Sequence, residues 1–337
     1  MARDEQGMRV VIVGASSLRG KELKEVLEEG SFAAAEIGLL DEETAAGTLT
    51  EAGGEPVVIQ TVDEDSFEHA RFAFFAGDAA FAAAHWRAAQ RAGATVIDLS
   101  GGMADAPSSV AWIPALDALL PPTEKQPADA VYIAPPTPVI VGCSAAAALA
   151  GFGIERMAIV FLQPVSERGQ PGVEELESQT VKLLSFQPIG QEVFGAQVAF
   201  NLIDRYGEGS REQLSSARAA IAAGVRSYLE GRVAIPAVQI IQAPVFFATA
   251  FSIYAELRVT PDGDALARAM DAAGMRLAPA GETAPSNVSV AGEARIVVGH
   301  MERDANVERG WWMWGAADNL RLAASNALQI AEKLLAA

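Results

Sequence analysis

The residue types and spacings in this sequence that could do chemistry begin at a glycine turn. Residues 9–20 read RVVIVGASSLRG, and Gly14 and Gly20 stand where a backbone must pass a ligand or a neighbouring chain with no Cβ in the way. Ser16, Ser17, Leu18 and Arg19 lie between them, where unpaired N–H groups at a helix start suit a pyrophosphate. Ser17 stands near the place of the usual middle glycine, so the pattern also fits a bare strand, turn and helix with no ligand. Farther on, Asp41 heads the acidic run Asp41, Glu42, Glu43. A carboxylate about 20 residues past such a turn accepts ribose hydroxyls and repels a 2′-phosphate. A cofactor bound here is therefore NAD, with NADP disfavoured; a solvated charge cluster at a strand end would show the same residues. Ala76 and Gly77 offer a second place for close backbone approach.

Other chemistry is sparse. Cys143 is the only cysteine and lies inside the apolar run VIVGCSAAAALAG, while His69, His85 and His300 occur in unrelated contexts. That count excludes an internal disulfide framework and gives no metal cluster. With 43 acidic against 25 basic residues the formal charge is −18, which opposes binding to nucleic acid or to an anionic membrane surface. The sequence has neither an apolar signal core nor an apolar run of spanning length, and it reads as cytoplasmic.

The elements that must position these residues follow from hydrophobic period. Residues 10–13, 36–40, 72–75, 94–99 and 131–134 are short buried strands, with 57–59 as a further one. Helical spacing follows Gly20 and runs over 81–91, so strands alternate with helices, as in a doubly wound parallel sheet of the Rossmann type. The carboxyl ends of its strands, at Gly14, Asp41, Ala76 and Ser100, line one crevice. Residues 1–7 form a disordered polar preamble and 107–127 a wandering connection. Thr137 as N-cap and Pro138 as first helical residue start the next helix. Beyond Gly153 the texture changes to a mixed α+β pattern: a strand at 157–162, helices at 172–184 and 212–228, a β-rich stretch at 238–259, strands at 294–300 and 311–314, and a helix over 318–335. Two domains result, 1–138 completed by 318–337, and 139–317. Trp311, Trp312 and Trp314 suit core or dimer-interface packing, or a stacking platform.

Blocks spread over nearly the whole chain resemble the aspartate-semialdehyde dehydrogenase family. They are GASSLRG, AGDAA, VIDLSG, GIERMAIVFLQPVSERGQPGVEEL, AFNLI and WGAADNLRLAASNALQIAEKLL, and PVSERG is similar to the USG-1-like branch. The resemblance implies an N-terminal NAD(P)-binding Rossmann domain, a C-terminal α+β dimerisation domain with a mixed sheet, and a homodimer. It implies chemistry through a catalytic cysteine, a histidine base and two arginines for carboxylate and phosphate. By the same matching, Gln163 contacts substrate, Ser166 and Gly169 touch the cofactor, and Asn319 approaches the nicotinamide. Gln163 also suits a loop-orienting hydrogen bonder, and Asn319 a helix N-cap.

The family's catalytic positions are altered here. The cysteine position falls on or beside Pro138, and Cys143 lies about five residues deeper, where it reads as core packing unless the helix start is shifted into a cleft. The histidine position is Thr249, and the two arginine positions are Gln242 and Ala104. The resemblance therefore implies a homodimer that keeps the fold and a dinucleotide crevice without the phosphorylating aldehyde dehydrogenase reaction. The alternatives are an active NAD-dependent oxidoreductase on an aldehyde or semialdehyde, and a non-catalytic partner of a paralogous dehydrogenase.

Overall fold

The protein is described by a computed structural model over residues 7–63, 65–121, 127, 129–279 and 281–336. Most of the polar preamble, and 122–126 of the expected connection, lie outside the described residues. The chain forms two compact units, Met1–Pro114 with Pro122–Pro135 and Ala323–Ala337, and Ala115–Pro121 with Pro136–Leu322.

In the first unit, β1 (Arg9–Val13) runs into α1 (Leu18–Glu29), followed by β2 (Glu36–Asp41), β3 (Leu49–Ala52), β4 (Glu55–Val58), β5 (Gln60–Thr61), β6 (Ala70–Phe75), α2 (Ala79–Arg91), β7 (Thr95–Asp98), β8 (Ser109–Ala111) and β9 (Val131–Ile133). Seven strands form one parallel sheet in the order β5-β2-β1-β6-β7-β9-β8. The order reverses between β1 and β6, the switch point at which doubly wound sheets take ligands. Val10 and Ile12 point to one face, against Leu23 and Leu27 of α1, and Val11 and Val13 to the other, with Ala82 and Trp86 of α2. Burial on both faces is why these strands are continuous β-branched or aromatic runs. Two corrections arise here. The strand expected at 57–59 is β4, which pairs antiparallel with β3 as a separate hairpin. Its turn is Gly53-Gly54, both at positive φ, a conformation glycine adopts without strain. The wandering connection also contains β8, paired parallel to β9.

The second unit contains α3 (Thr137–Leu149), β10 (Ile154–Gln163), α4 (Gly169–Leu184), α5 (Leu214–Leu229), β11 (Ala237–Gln242), β12 (Thr249–Leu257), α6 (Gly263–Ala272), β13 (Met275–Leu277), β14 (Ile296–Arg303) and β15 (Gly310–Ala317). Its six-stranded sheet is mixed, in the order β11-β10-β12-β15-β14-β13, with β10–β11 and β13–β14 parallel. Every residue of α3 is buried. One sheet face stays half-open: Val160 and Leu162 of β10, Ser252 and Tyr254 of β12, and Trp312 and Trp314 of β15. A cavity of about 260 Å³ on this face is lined by Ser252, His300, Glu302, Trp312 and Trp314.

The last helix, α7 (Arg321–Ala336), begins later than the expected 318. Its Ala324, Ala327, Leu328 and Ile330 complete the core around Val10 and Ile12. The helix starts expected at 172 and 212 lie at Gly169 and Leu214. At α3 the cap position is Pro136, in extended backbone, and Thr137 does not cap: its hydroxyl donates to Asn319 O at 2.9 Å. Thr137 is itself the first helical residue, one place past the cap, and a cap side chain works from the non-helical position before the helix. Among the described residues no helix is long and apolar enough to cross a membrane.

Candidate functional site

In the first unit the glycine turn is built by close approach of two loops. Gly14, at φ +84°, would carry a Cβ 2.2 Å from Gly77 Cα, and a Cβ on Gly77 would lie 2.7 Å from Gly14 Cα. The loops after β1 and β6 therefore touch backbone to backbone, which only glycine allows. Ser17 caps α1: it accepts from Gly20 N at 2.9 Å, and its proton faces Gly14 O at 2.7 Å and Ala76 O at 3.1 Å. Arg19 donates to Leu99 O at 3.0 Å and Gly77 O at 3.4 Å, tying the turn to the ends of β6 and β7.

Asp41 is buried at the end of β2, and its carboxylate accepts from Ser16 N at 2.7 Å and Glu42 N at 2.8 Å. It is thus a strut of the turn itself, a role that spacing alone does not disclose. Gly14 N and Ala15 N go to Leu40 O, and Ser17 N goes to Gly14 O. The N–H groups of Leu18 and Arg19 remain as donors without a partner among the described residues. Those two donors at a helix N-terminus are what an anionic pyrophosphate requires. Beside the turn, Asp98 is fully buried and accepts from Ser100 N, Ser100 Oγ and Met103 N. Burial raises its pKa above the usual carboxylate range against these hydrogen bonds. Ala104, which the resemblance sets at a phosphate-binding arginine position, is exposed.

In the second unit Asn319 is the organising side chain. Its Oδ1 accepts from Ala248 N at 2.9 Å, and its Nδ2 donates to Ser166 Oγ at 3.1 Å and Glu167 Oε1 at 3.0 Å. It does not cap α7; Asp318 does, accepting from Leu320 N and Arg321 N at 3.0 Å each. The bond to Ala248 holds a residue at φ +65°, where alanine is strained. The next residue, Thr249, is fully buried with its hydroxyl unpartnered among the described residues.

Gln163 and Gln242 share Tyr206. The tyrosine hydroxyl donates to Gln242 Oε1 at 2.7 Å and accepts from Gln163 Nε2 at 3.3 Å. Gln242 Nε2 donates to Gln163 O at 2.9 Å and Ala243 O at 3.0 Å, so its amide is committed on every side. Burial raises the Tyr206 pKa, and the hydroxyl stays neutral. Cys143 is the seventh residue of α3, fully buried, and desolvation pushes its thiol up to about 12, with only a partial offset from Arg232. Beyond the first turn the helix dipole no longer lowers it.

Sequence reasoning missed Tyr206 and Glu212, and it read Arg168 only as a variation in the segment that the resemblance sets against the cofactor. Tyr206 sits near the isolated bridge between Ile203 and Gln242, a long-range pairing with no periodic signature. Arg168 pairs with Glu212, 44 residues away, and neither spacing nor composition signals the pair.

Residues 9–137 match a family model described as the NAD binding domain of semialdehyde dehydrogenase, and residues 146–322 match the dimerisation domain of the same family. The chain is similar to a USG-1 protein homolog of Pseudomonas aeruginosa, 29% identical with 98% of each chain covered. Among solved structures it is similar to a probable aspartate-semialdehyde dehydrogenase from Pseudomonas aeruginosa, with TM-score 0.84 and 28% identity over 98% of this chain and 99% of that one. It is also similar to aspartate semialdehyde dehydrogenase II of Vibrio cholerae complexed with ASA, with TM-score 0.82 and 26% identity over 98% of each.

Proposed function

Because the chain belongs to the semialdehyde dehydrogenase family, we propose that it is a homodimeric, NAD-binding member that holds ligands without the family's phosphorylating aldehyde dehydrogenase reaction. What supports this reading is the chemistry of the four residues that the resemblance sets at the family's catalytic positions. On that matching Pro138 stands for the thiol, Thr249 for the imidazole, Gln242 and Ala104 for the two guanidinium groups. Threonine does not act as a base near neutral pH, and Gln242 is locked in neutral hydrogen bonds. Cys143 offers no replacement, since a thiol held near 12 is protonated at neutral pH. Groups that act as a unit fail together, so even one loss costs orders of magnitude in rate.

The residues present fit the dinucleotide. Leu18 and Arg19 supply free N–H groups for the pyrophosphate, Gly14 and Gly77 let backbone approach, Ala76 and Ser16 line the same turn, and Asp41 supplies negative charge at the end of β2. NAD is preferred over NADP because a 2′-phosphate would meet the acidic run Asp41 to Glu43. When bound, the nicotinamide supplies a hydride acceptor. In the second unit, Asn319 and Ser166 hold the loop at Ala248, and Gln163 orients Tyr206. The half-open sheet face with Tyr254, Trp312 and Trp314 supports pairing with a second copy, since exposed tryptophans in one patch mark interfaces.

Isothermal titration with NAD and, separately, NADP tests the proposal. Binding of NAD but not NADP, with no phosphate-dependent oxidation of aspartate semialdehyde, is the expected result. Turnover blocked by iodoacetamide would overturn it.

A further inference from the structure

We propose that Arg168 is an oxyanion-binding residue of the second unit, taking the carboxylate or phosphate group of a small ligand in exchange for the Glu212 side chain that holds it. The proposal deepens the reading above and rests on the part of it that has this unit retain a ligand site. Arg168 closes the short turn Val165–Arg168, whose backbone is fixed by Val165 N to Val245 O at 2.9 Å and Ser166 N to Phe246 O at 3.1 Å. Its stem is pinned from the other side. In the first turn of α4 a Cβ on Gly172 would lie 2.3 Å from Val165 O and 2.8 Å from Arg168 Cβ, so only glycine lets the helix pass this close to the turn. The guanidinium is thus carried on a built element.

Its charge is poorly matched. The Arg168 side chain is 15% exposed, and its Nε is buried without a hydrogen-bond partner among the described residues. Its ion pair runs from Nη1 to Glu212, whose side chain is 70% exposed. An orphaned N–H on a buried cation calls for an acceptor, while an ion pair to a solvated carboxylate is cheap to exchange. Nε–H and Nη2–H lie along one edge of the guanidinium, the edge that fits two oxygens of a carboxylate or phosphate at once. An incoming oxyanion satisfies Nε, and Glu212 turns to water.

The surroundings favour a ligand over a purely structural cation. Arg168 is close enough to Tyr206 for its charge to work against the burial that raises the tyrosine's pKa. Tyr206 in turn joins Gln163 and Gln242, the two substrate positions implied by the resemblance. Gln242 brings no positive charge and has no free donor. Arg168 supplies that charge from a different element.

The test is titration of the full chain, without nucleotide, with succinate and separately with inorganic phosphate, for the parent, Glu212→Gln, Arg168→Gln and Arg168→Lys. The expected result is saturable binding of one or both probes. Glu212→Gln should tighten it several-fold and Arg168→Gln weaken it about tenfold or more, as loss of a charge-assisted hydrogen bond does. Arg168→Lys should fall between, keeping charge without the two-pronged edge. Succinate alone assigns a carboxylate ligand, phosphate alone a phosphorylated one. Absence of binding in both parent and Glu212→Gln, or unchanged binding in Arg168→Gln, overturns the proposal. Should Arg168→Gln fail to fold, the absence of any gain in Glu212→Gln does the same. An NAD titration on the same preparations separates the two readings, because its failure with intact succinate or phosphate binding removes only the dinucleotide.

Discussion

Gly14 and Gly47 form a matched pair for measuring what the glycine turn requires. Their φ angles are +84° and +83°, so alanine at either position carries the same left-handed penalty, about 1–2 kcal/mol. Loss of glycine's freedom in the unfolded chain offsets about 0.4–1 kcal/mol of that. At Gly47 nothing lies within 4 Å of the new Cβ. At Gly14 the Cβ would meet Gly77 Cα at 2.2 Å and Gly77 N at 2.3 Å, both backbone atoms that cannot rotate aside. Forcing those loops apart adds about 1–3 kcal/mol. Gly47→Ala should therefore cost about 1 kcal/mol and Gly14→Ala about 2–4 kcal/mol. For a unit of this size each kcal/mol moves the midpoint by about 2–4 °C, so calorimetry should place Gly14→Ala roughly 5–12 °C below the parent and Gly47→Ala within about 4 °C of it. NAD binding should weaken in the first variant alone. Equal shifts in the two variants would refute the argument, because the backbone contact is the only difference it invokes.

Four further outcomes follow from the second unit. Ala248→Gly should raise stability by about 0.5–1 kcal/mol, since relief of the +65° φ exceeds the added entropy of glycine; a lower melting temperature would contradict the strain. Asn319→Ala should cost about 2–4 kcal/mol in thermal melts, because Ala248 N–H, Ser166 and Glu167 lose a buried partner together. The raised Cys143 pKa gives a pH dependence of definite sign. Its contribution is fully present below about pH 8.5, where the unfolded thiol begins to ionise, and is lost as pH climbs towards about 12; native Cys143 should react with iodoacetamide at pH 8 at least about a thousandfold more slowly than in denaturant. Trp314→Glu should shift sedimentation from dimer to monomer at micromolar concentration, and an unchanged profile would remove the open sheet face as the pairing surface.

The parallel sheet was legible because strands buried on both faces leave a continuous apolar run, as in Val10 to Val13 and Phe72 to Phe75. Gly14 and Asp41 were legible as positions, but their roles were not. The 2.7 Å bond from Ser16 N makes Asp41 part of the turn, and no pattern in one chain shows which backbone group a carboxylate will meet. The hairpin at Gly53-Gly54 carried a readable turn signal that the polar surroundings obscured. Helix starts failed at their caps. Thr137, Asp318 and Asn319 are all competent caps, but α3 starts at Thr137 itself, one place too early for it to cap, and Asn319 is held by Ala248, Ser166 and Glu167 while Asp318 caps α7. Tyr206, Arg168 and Glu212 come together through contacts across 36 to 44 residues, beyond the reach of any local period.

The place of α7 bears on how the protein is made. Ala324, Ala327, Leu328, Ile330 and Ala331 belong to the same core as Val10, Ile12 and Leu23, although Pro136–Leu322 intervenes in the chain. During translation the sheet around β1 thus emerges first, together with α1, and acquires the α7 side of this core last. At about 5–20 residues per second the delay is on the order of ten to forty seconds. Throughout that time the face around Val10 and Ile12 has α1 over it but not α7, so its apolar core is incomplete, while the strands of the intervening sheet have already been made. The part of the molecule that carries the glycine turn is therefore the first to be synthesised and the last to have its core completed.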